Sequence, residues 1–231
     1  MKKLVLDTKT ALGMVPKTVD LDFDAKVAMV KTIEQNLSNY TTCMEGMKLA
    51  AESLAKAVRN VSVVLEAMTA DDDIPASMKS LAADHTTAAA KISSEYLLDY
   101  KKVIDDAERA ADIKALVTEC KHLGAKRNKI RKEYDNYRDV VNKKEAEYRK
   151  KGKDLGDSKH YVDELNKRDA LKRDFDATTE EYKRAYDNLS ARKVSSYMTA
   201  LTKYTDCTFQ LLSSLEGQMA TLNKKAELVT L

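Results

Sequence analysis

Six cations stand against two anions between Lys143 and Lys153: Lys143, Lys144, Arg149, Lys150, Lys151 and Lys153 against Glu145 and Glu147. A cluster of that density attracts anionic surfaces. Each Lys or Arg held near phospholipid headgroups contributes about 1 kcal/mol, less as salt screens it. Lys159, Lys167, Arg168, Lys172 and Arg173 add charge a little further on. From Lys126 to Arg173 the chain holds seventeen basic and ten acidic residues, a local balance of +7 in a protein whose total is +3. The rest is therefore net acidic. Any one of these lysines also suits an i,i+4 ion pair on an exposed helix, so the cluster carries the meaning and not the single residue.

Other chemistry is hard to assemble from this chain. His85, His122 and His160 stand alone, and Cys43, Cys120 and Cys207 are far apart with no pairing or metal-ligand spacing. No glycine-rich phosphate loop and no Ser-His-Asp or Cys-His pattern occurs. Asp71-Asp72-Asp73 is the one dense acidic triplet, and its place in a turn suggests helix capping. These observations predict no enzyme, no cofactor and no metal. The basic stretch is interspersed with Glu and Asp and lacks a recognised nucleic-acid-binding motif, which predicts no nucleic-acid partner. No apolar run approaches the roughly 18 residues needed to cross a bilayer, and Met-Lys-Lys-Leu-Val-Leu-Asp is too briefly apolar for a secretory signal. A cytosolic protein, peripheral on membranes, is expected.

The elements that must position the charge are helices. Gly and Pro together number eight in 231 residues, Trp is absent and a third of the residues are charged, so turns are few and helices long. Pro16 lies in the N-terminal segment and Pro75 follows the acidic triplet, and no proline occurs after it. The other strong breaker runs from Gly152 to Ser158, where glycines and small polar residues offer a C-cap and then an N-cap. Two breakers make three helices, at about 22–69, 77–151 and 158–228. Val30, Ile33, Leu37, Tyr40, Met44, Met47, Ala51, Leu54, Val58, Val61, Leu65 and Met68 alternate in steps of three and four, the spacing of a coiled-coil seam. The second helix continues the pattern through Cys120, Leu123, Arg127, Ile130, Tyr134 and Val141, the third through Phe175, Tyr182, Leu189, Leu201 and Leu222.

Helices of more than seventy residues reach roughly 105–110 Å at 1.5 Å per residue, so the first cannot cover the other two. If the three run antiparallel, it pairs with the start of the second and the end of the third. Residues 124–151 and 158–185 then form a two-helix arm ending at the glycine loop, with Tyr, Lys and Arg stems on its seam. The expected fold is all-α, an elongated antiparallel three-helix coiled-coil bundle. Beside its seam the first helix is also apolar at Val27, Met29, Cys43, Ala50, Ala57 and Val64. Together with Val30 these are candidates for a homodimer interface.

Residues 1–21 form a separate N-terminal segment ahead of a domain at 22–231. Leu4 and Leu12 sit on one weakly apolar face, which suits a short helix inserting into headgroups. A disordered tail or a strap packed on the bundle suits the same residues.

The run Ala125-Lys126-Arg127-Asn128-Lys129-Ile130-Arg131-Lys132-Glu133-Tyr134-Asp135 resembles the basic stretch ending in Tyr-Asp of the second helix of BAR domains. Asn188-Leu189-Ser190-Ala191-Arg192-Lys193-Val194-Ser195-Ser196-Tyr197 is similar to the leucine, basic pair and aromatic of that family's third helix. The likeness covers residues 20–228, and Ala11-Leu12-Gly13, followed by acidic residues and Phe23, resembles the N-BAR type. The resemblance implies a crescent-shaped homodimer that binds anionic phospholipid membranes, phosphoinositides included, and senses or induces curvature in trafficking steps such as endocytosis. It puts Lys126 and Lys129 among concave-face cations, and Lys143, Lys150, Lys151 and Lys153 on the distal arm and tip. The rival reading is a coiled-coil scaffold that binds a small GTPase or trafficking proteins without bending lipid.

Overall fold

The computed structural model describes residues 15–109, 113–158 and 160–229. Helix α1 spans Leu21–Met68, α2 Ala76–Lys91, α3 Leu97–Arg109, α4 Lys114–Lys151 and α5 Tyr161–Glu227. A π-helical turn, Ile92–Tyr96, joins α2 to α3, and a short 3-10 turn, Leu155–Asp157, precedes α5. Among the described residues there is no strand. Helices one and three of the sequence reading are α1 and α5. The second is divided, because α3 ends at Arg109 and α4 begins after Ile113, which has φ −112° and ψ 3° and is buried. Neither glycine nor proline stands at that division. Gly124 lies inside the unbroken α4.

The chain forms two compact units. The first comprises residues 1–34 and 113–192, the second 35–112 and 193–231. The second unit has the pairing expected of a three-helix bundle. Met44, Tyr100, Ile104 and Cys207 are buried together, with Tyr40, Met47, Ala51, Val103, Tyr204 and Leu211 packed around them. The Tyr40 hydroxyl donates to the Ala107 carbonyl at 3.2 Å, satisfying the polar end of a half-buried ring.

Along α1 the buried and half-buried positions follow the expected seam as far as Ala51 and then step by four to buried Ala55, after which Ser62 is buried between half-buried Val58 and Leu65. Leu54, Val61 and Met68, expected on the seam, are exposed instead. Such a stutter rotates the buried stripe by part of a turn. Small side chains let the neighbouring helix approach, and the Ser62 hydroxyl lies 3.2 Å from the His85 carbonyl, which it can reach as a donor.

The first unit has a polar centre where α1, α4 and α5 meet. Its apolar part includes Phe23, Val30, Ile33, Val117, Cys120, Tyr182 and Leu189. The Phe23 and Tyr182 rings pack at 4.7 Å between centroids. Beside them Arg127, only 1% exposed, is clamped between the faces of Phe23 and Phe175, 3.7 and 4.5 Å from their centroids. The arm is therefore not made of two helices alone. The start of α1 and the preceding residues 15–20 pack on it as well.

Candidate functional site

The charged arm is built from the C-terminal half of α4, the loop after it and the start of α5. Helix α4 ends because Gly152 takes φ +62°, a left-handed conformation open to glycine at little cost. Its N–H donates to the Arg149 carbonyl, and the Lys153 N–H donates to that of Tyr148, so the last turn is closed. Asp154 then accepts the Gly156 N–H at 2.9 Å, which shapes the loop into α5. Two side-chain ties pin the helices near this loop. The Tyr161 hydroxyl donates to Glu145 at 2.7 Å, and Lys144 pairs with Glu164.

The cations divide into two sets. Lys126 pairs with Glu181 at 3.0 Å, Lys143 with Asp139 at 2.6 Å and Lys151 with Glu147 at 2.5 Å, all within reach of solvent. The hydrogen bond to Glu147, with the coulombic attraction behind it, raises the Lys151 ammonium above its ordinary range and lowers the Glu147 carboxyl. Lys144 is only 22% exposed in its pair, so it is committed to holding the helices together. Lys129, Arg149, Lys150, Lys153 and Lys167 are exposed and form no ion pair with any described residue. Arg149, Lys150 and Lys151 also lie in the last turn of α4, where the helix dipole favours cations whatever else they meet. Lys159, and the insertion candidates Leu4 and Leu12, lie outside the described residues.

Sequence reasoning missed what fastens the N-terminal strap. Asp20 forms an ion pair with buried Arg127 and caps the start of α1 by accepting the Phe23 N–H at 3.0 Å. Asp135, itself buried, accepts the Thr18 N–H at 3.0 Å and its hydroxyl at 2.5 Å. Arg138 donates to the Thr18 hydroxyl at 2.7 Å and to the Pro16 carbonyl at 2.5 Å. Burial holds the Arg127 guanidinium below its usual range, while Asp20 opposes that effect. Residues 20, 18 and 16 thus meet α4 at 127, 135 and 138. The strap runs along α4 towards the glycine loop. The basic run was visible in the sequence, but the carboxylates that pair with it could be assigned only once the strap was placed.

Of the interface candidates, Val27, Met29, Cys43, Ala50, Ala57 and Val64 are exposed. Val30 is the correction. At 3% exposure it belongs to the chain's own core, facing the groove between α1 and α4, and has no surface to offer a second copy. The sequence reading also overlooked a second apolar track on α5: Val194, Met198, Leu201, Phe209 and Leu212 are all exposed, Phe209 to 70%. Their spacing, mostly three or four residues, was the available signal. Leu201, expected on the buried seam, is exposed, and the buried residue is its neighbour Ala200, about 100° round the helix. On α1, Leu49, Leu54, Val61 and Val63 are exposed in the same unit.

No known family's sequence pattern matches the chain, and no curated protein is similar to it in sequence. Among solved structures, a BAR protein from Galdieria sulphuraria superimposes with a TM-score of 0.70, over 91% of this chain and 99% of that one, at 14% identity. The fold is that of a BAR domain. An I-BAR domain of D. discoideum IBARa is also similar, at 13% identity over 90% of each chain, with a TM-score of 0.37. In the BAR fold found here, no helix among the described residues is long and apolar enough to cross a membrane. Nor do the described residues contain a cluster of His, Cys, Asp and Glu fit to hold a metal ion.

Proposed function

We propose that this chain binds anionic membrane surfaces as a homodimer and senses or induces their curvature, acting as a peripheral protein on the cytoplasmic leaflet. The observation that carries this reading is the set of exposed cations on the arm that form no ion pair with any described residue, namely Lys129 midway along α4, Arg149, Lys150 and Lys153 at its end, and Lys167 on α5. Five unpaired cations are worth about 5 kcal/mol at an anionic bilayer, and a second copy doubles the number engaged. Lys126, Lys143 and Lys151 can join them by exchanging exposed carboxylate partners for lipid phosphate, an exchange that costs little because surface pairs are weak. Phosphoinositide headgroups carry the most charge and are the best matched. Endocytosis and related trafficking steps are where such a module acts.

The homodimer is supported by the exposed apolar tracks on α1 and α5, which a second copy would cover.

Co-sedimentation with vesicles of increasing anionic lipid content tests the reading. Binding should rise with anionic fraction and fall with salt. Equal binding to neutral vesicles would overturn it, and so would capture of a GTPase by a chain that ignores lipid.

A further inference from the structure

Arg127, Arg131 and Arg138 succeed one another on α4 at intervals of four and seven residues, so they share one face of the helix. Two of them have a carboxylate. Arg127 pairs with Asp20, and Arg138 with Asp135 at 3.0 Å. Arg131 has none. It is only 9% exposed, forms no ion pair or hydrogen bond with any described residue, and its Nε–H is enclosed without an acceptor. Arg127 carries a second such group. Its Nε donates to the Thr179 hydroxyl at 2.9 Å and Nη2 serves Asp20, but Nη1 is buried with no partner.

A guanidinium taken out of water without a counter-charge is costly, and it cannot escape the cost by losing its proton. Were packing the only demand at position 131, leucine or methionine would meet it better. The two arginines also feel each other. Burial is the chief cause that lowers the Arg127 guanidinium; Asp20 opposes it, the charge of Arg131 adds to it, and Asp24 opposes it more weakly. The strap ties α4 at Arg127 through Asp20 and at Asp135 through Thr18, so Arg131 lies one turn from each fastening.

We infer that Arg127 and Arg131 form an anion site inside the arm, whose ligand is a phosphate or phosphomonoester group accepting from Arg127 Nη1–H and Arg131 Nε–H. Guanidinium donors suit a tetrahedral oxyanion, and hydrogen bonds between two charged groups are about twice as strong as neutral ones. Asp20 remains the other partner of Arg127. Inorganic phosphate and a phosphoinositide headgroup both carry this chemistry. The site is distinct from the exposed cations of the arm and stands whether or not those cations bind a membrane.

The test is urea unfolding of the full chain, followed by circular dichroism, in sodium phosphate and in sodium chloride at equal ionic strength and pH 7. Phosphate should raise the midpoint saturably, as a ligand bound only by the folded chain does. Arg131→Met keeps the bulk of the stem and removes the charge. It should unfold at the same or a higher midpoint in chloride and lose the phosphate effect. Arg131→Lys keeps the charge without the planar fork and should need about tenfold more phosphate for the same shift, the cost of one charged hydrogen bond. It decides the matter if R131M does not fold.

Sedimentation with phosphatidylcholine vesicles carrying a phosphatidylinositol monophosphate identifies the source of the phosphate. A headgroup ligand predicts several-fold weaker sedimentation of R131M and competition by inorganic phosphate. Equal sedimentation of the two proteins, with the phosphate effect present, assigns the site to free phosphate. No phosphate effect at matched ionic strength, or an undiminished effect in either Arg131 variant, would overturn the site and leave the membrane reading untouched.

Discussion

The two compact units of this chain are charged and packed in opposite ways. The unit formed by residues 1–34 and 113–192 holds 28 basic and 21 acidic residues, the other 12 and 16, so they carry +7 and −4. The basic unit buries Arg127, Arg131, Asp135 and Asn136 among its aromatics, while the acidic one buries Ile104, Tyr100, Met44 and Cys207 and leaves Leu201, Phe209 and Leu212 in water. Net positive charge is thus concentrated in one unit and the longer exposed apolar track in the other. On the function proposed above, attraction to an anionic surface rests mainly on the first and self-association mainly on the second, so each should be removable without the other.

The largest separable effect belongs to the basic unit. Replacing Lys150, Lys151 and Lys153 with Glu removes about 3 kcal/mol of headgroup attraction per chain, so affinity for anionic vesicles should fall by more than about 100-fold. Sedimentation equilibrium should show the dimer unchanged, and circular dichroism the helicity unchanged. A loss of dimer in that variant would break the segregation.

The converse variant acts on the acidic unit. Met198→Asp with Phe209→Asp puts two charges into the exposed apolar track and should weaken self-association by about 100-fold, again with helicity retained. Val162→Asp, an equally conservative insult to an exposed apolar residue of the basic unit, should leave self-association alone.

A smaller effect sharpens the contrast between the two interiors. Asp20→Ala leaves the Arg127 guanidinium buried without its carboxylate and should cost about 2 kcal/mol in urea unfolding. Arg127→Met should cost less, because Asp20, partly exposed, can be hydrated when it loses its partner. Equal losses would mean that Arg127 contributes through packing between Phe23 and Phe175 rather than through charge.

How far these features were legible depends on residue size and on distance along the chain. The seam from Val30 to Met47 was readable because large apolar residues there are the buried ones. Beyond Ala51 the pattern misled, since the close approach of helices is made by Ala55 and Ser62 while the larger Leu54 and Val61 face outward. The cation cluster and the Gly152 stop were visible as local sequence. The strap was not, because Thr18 and Asp20 find Asp135 and Arg127 more than a hundred residues away, and no periodicity marks a polar contact of that range. The division at Ile113 was equally hidden. A buried isoleucine in a turn leaves no composition signal.

The smallest effect concerns the thiols. Burial, with help from Glu119, raises Cys120 to about 11 from the ordinary thiol value of 9.0. A raised thiol contributes stability that is complete below pH 9 and is lost as pH rises towards 11, because the unfolded chain ionises first. Cys120→Ala should remove that pH-dependent loss, measured as the difference in slope between the two proteins over pH 8.5–11. In native protein at pH 8, a thiol reagent should modify exposed Cys43 and spare buried Cys120 and Cys207.

The most direct test of the account is vesicle binding by the unaltered protein as salt is raised at fixed anionic lipid content. Binding through the exposed cations of the arm predicts strong sedimentation at low salt, a steep decline towards 0.5 M and none with neutral lipid. Binding that is indifferent to salt and to lipid charge would contradict it.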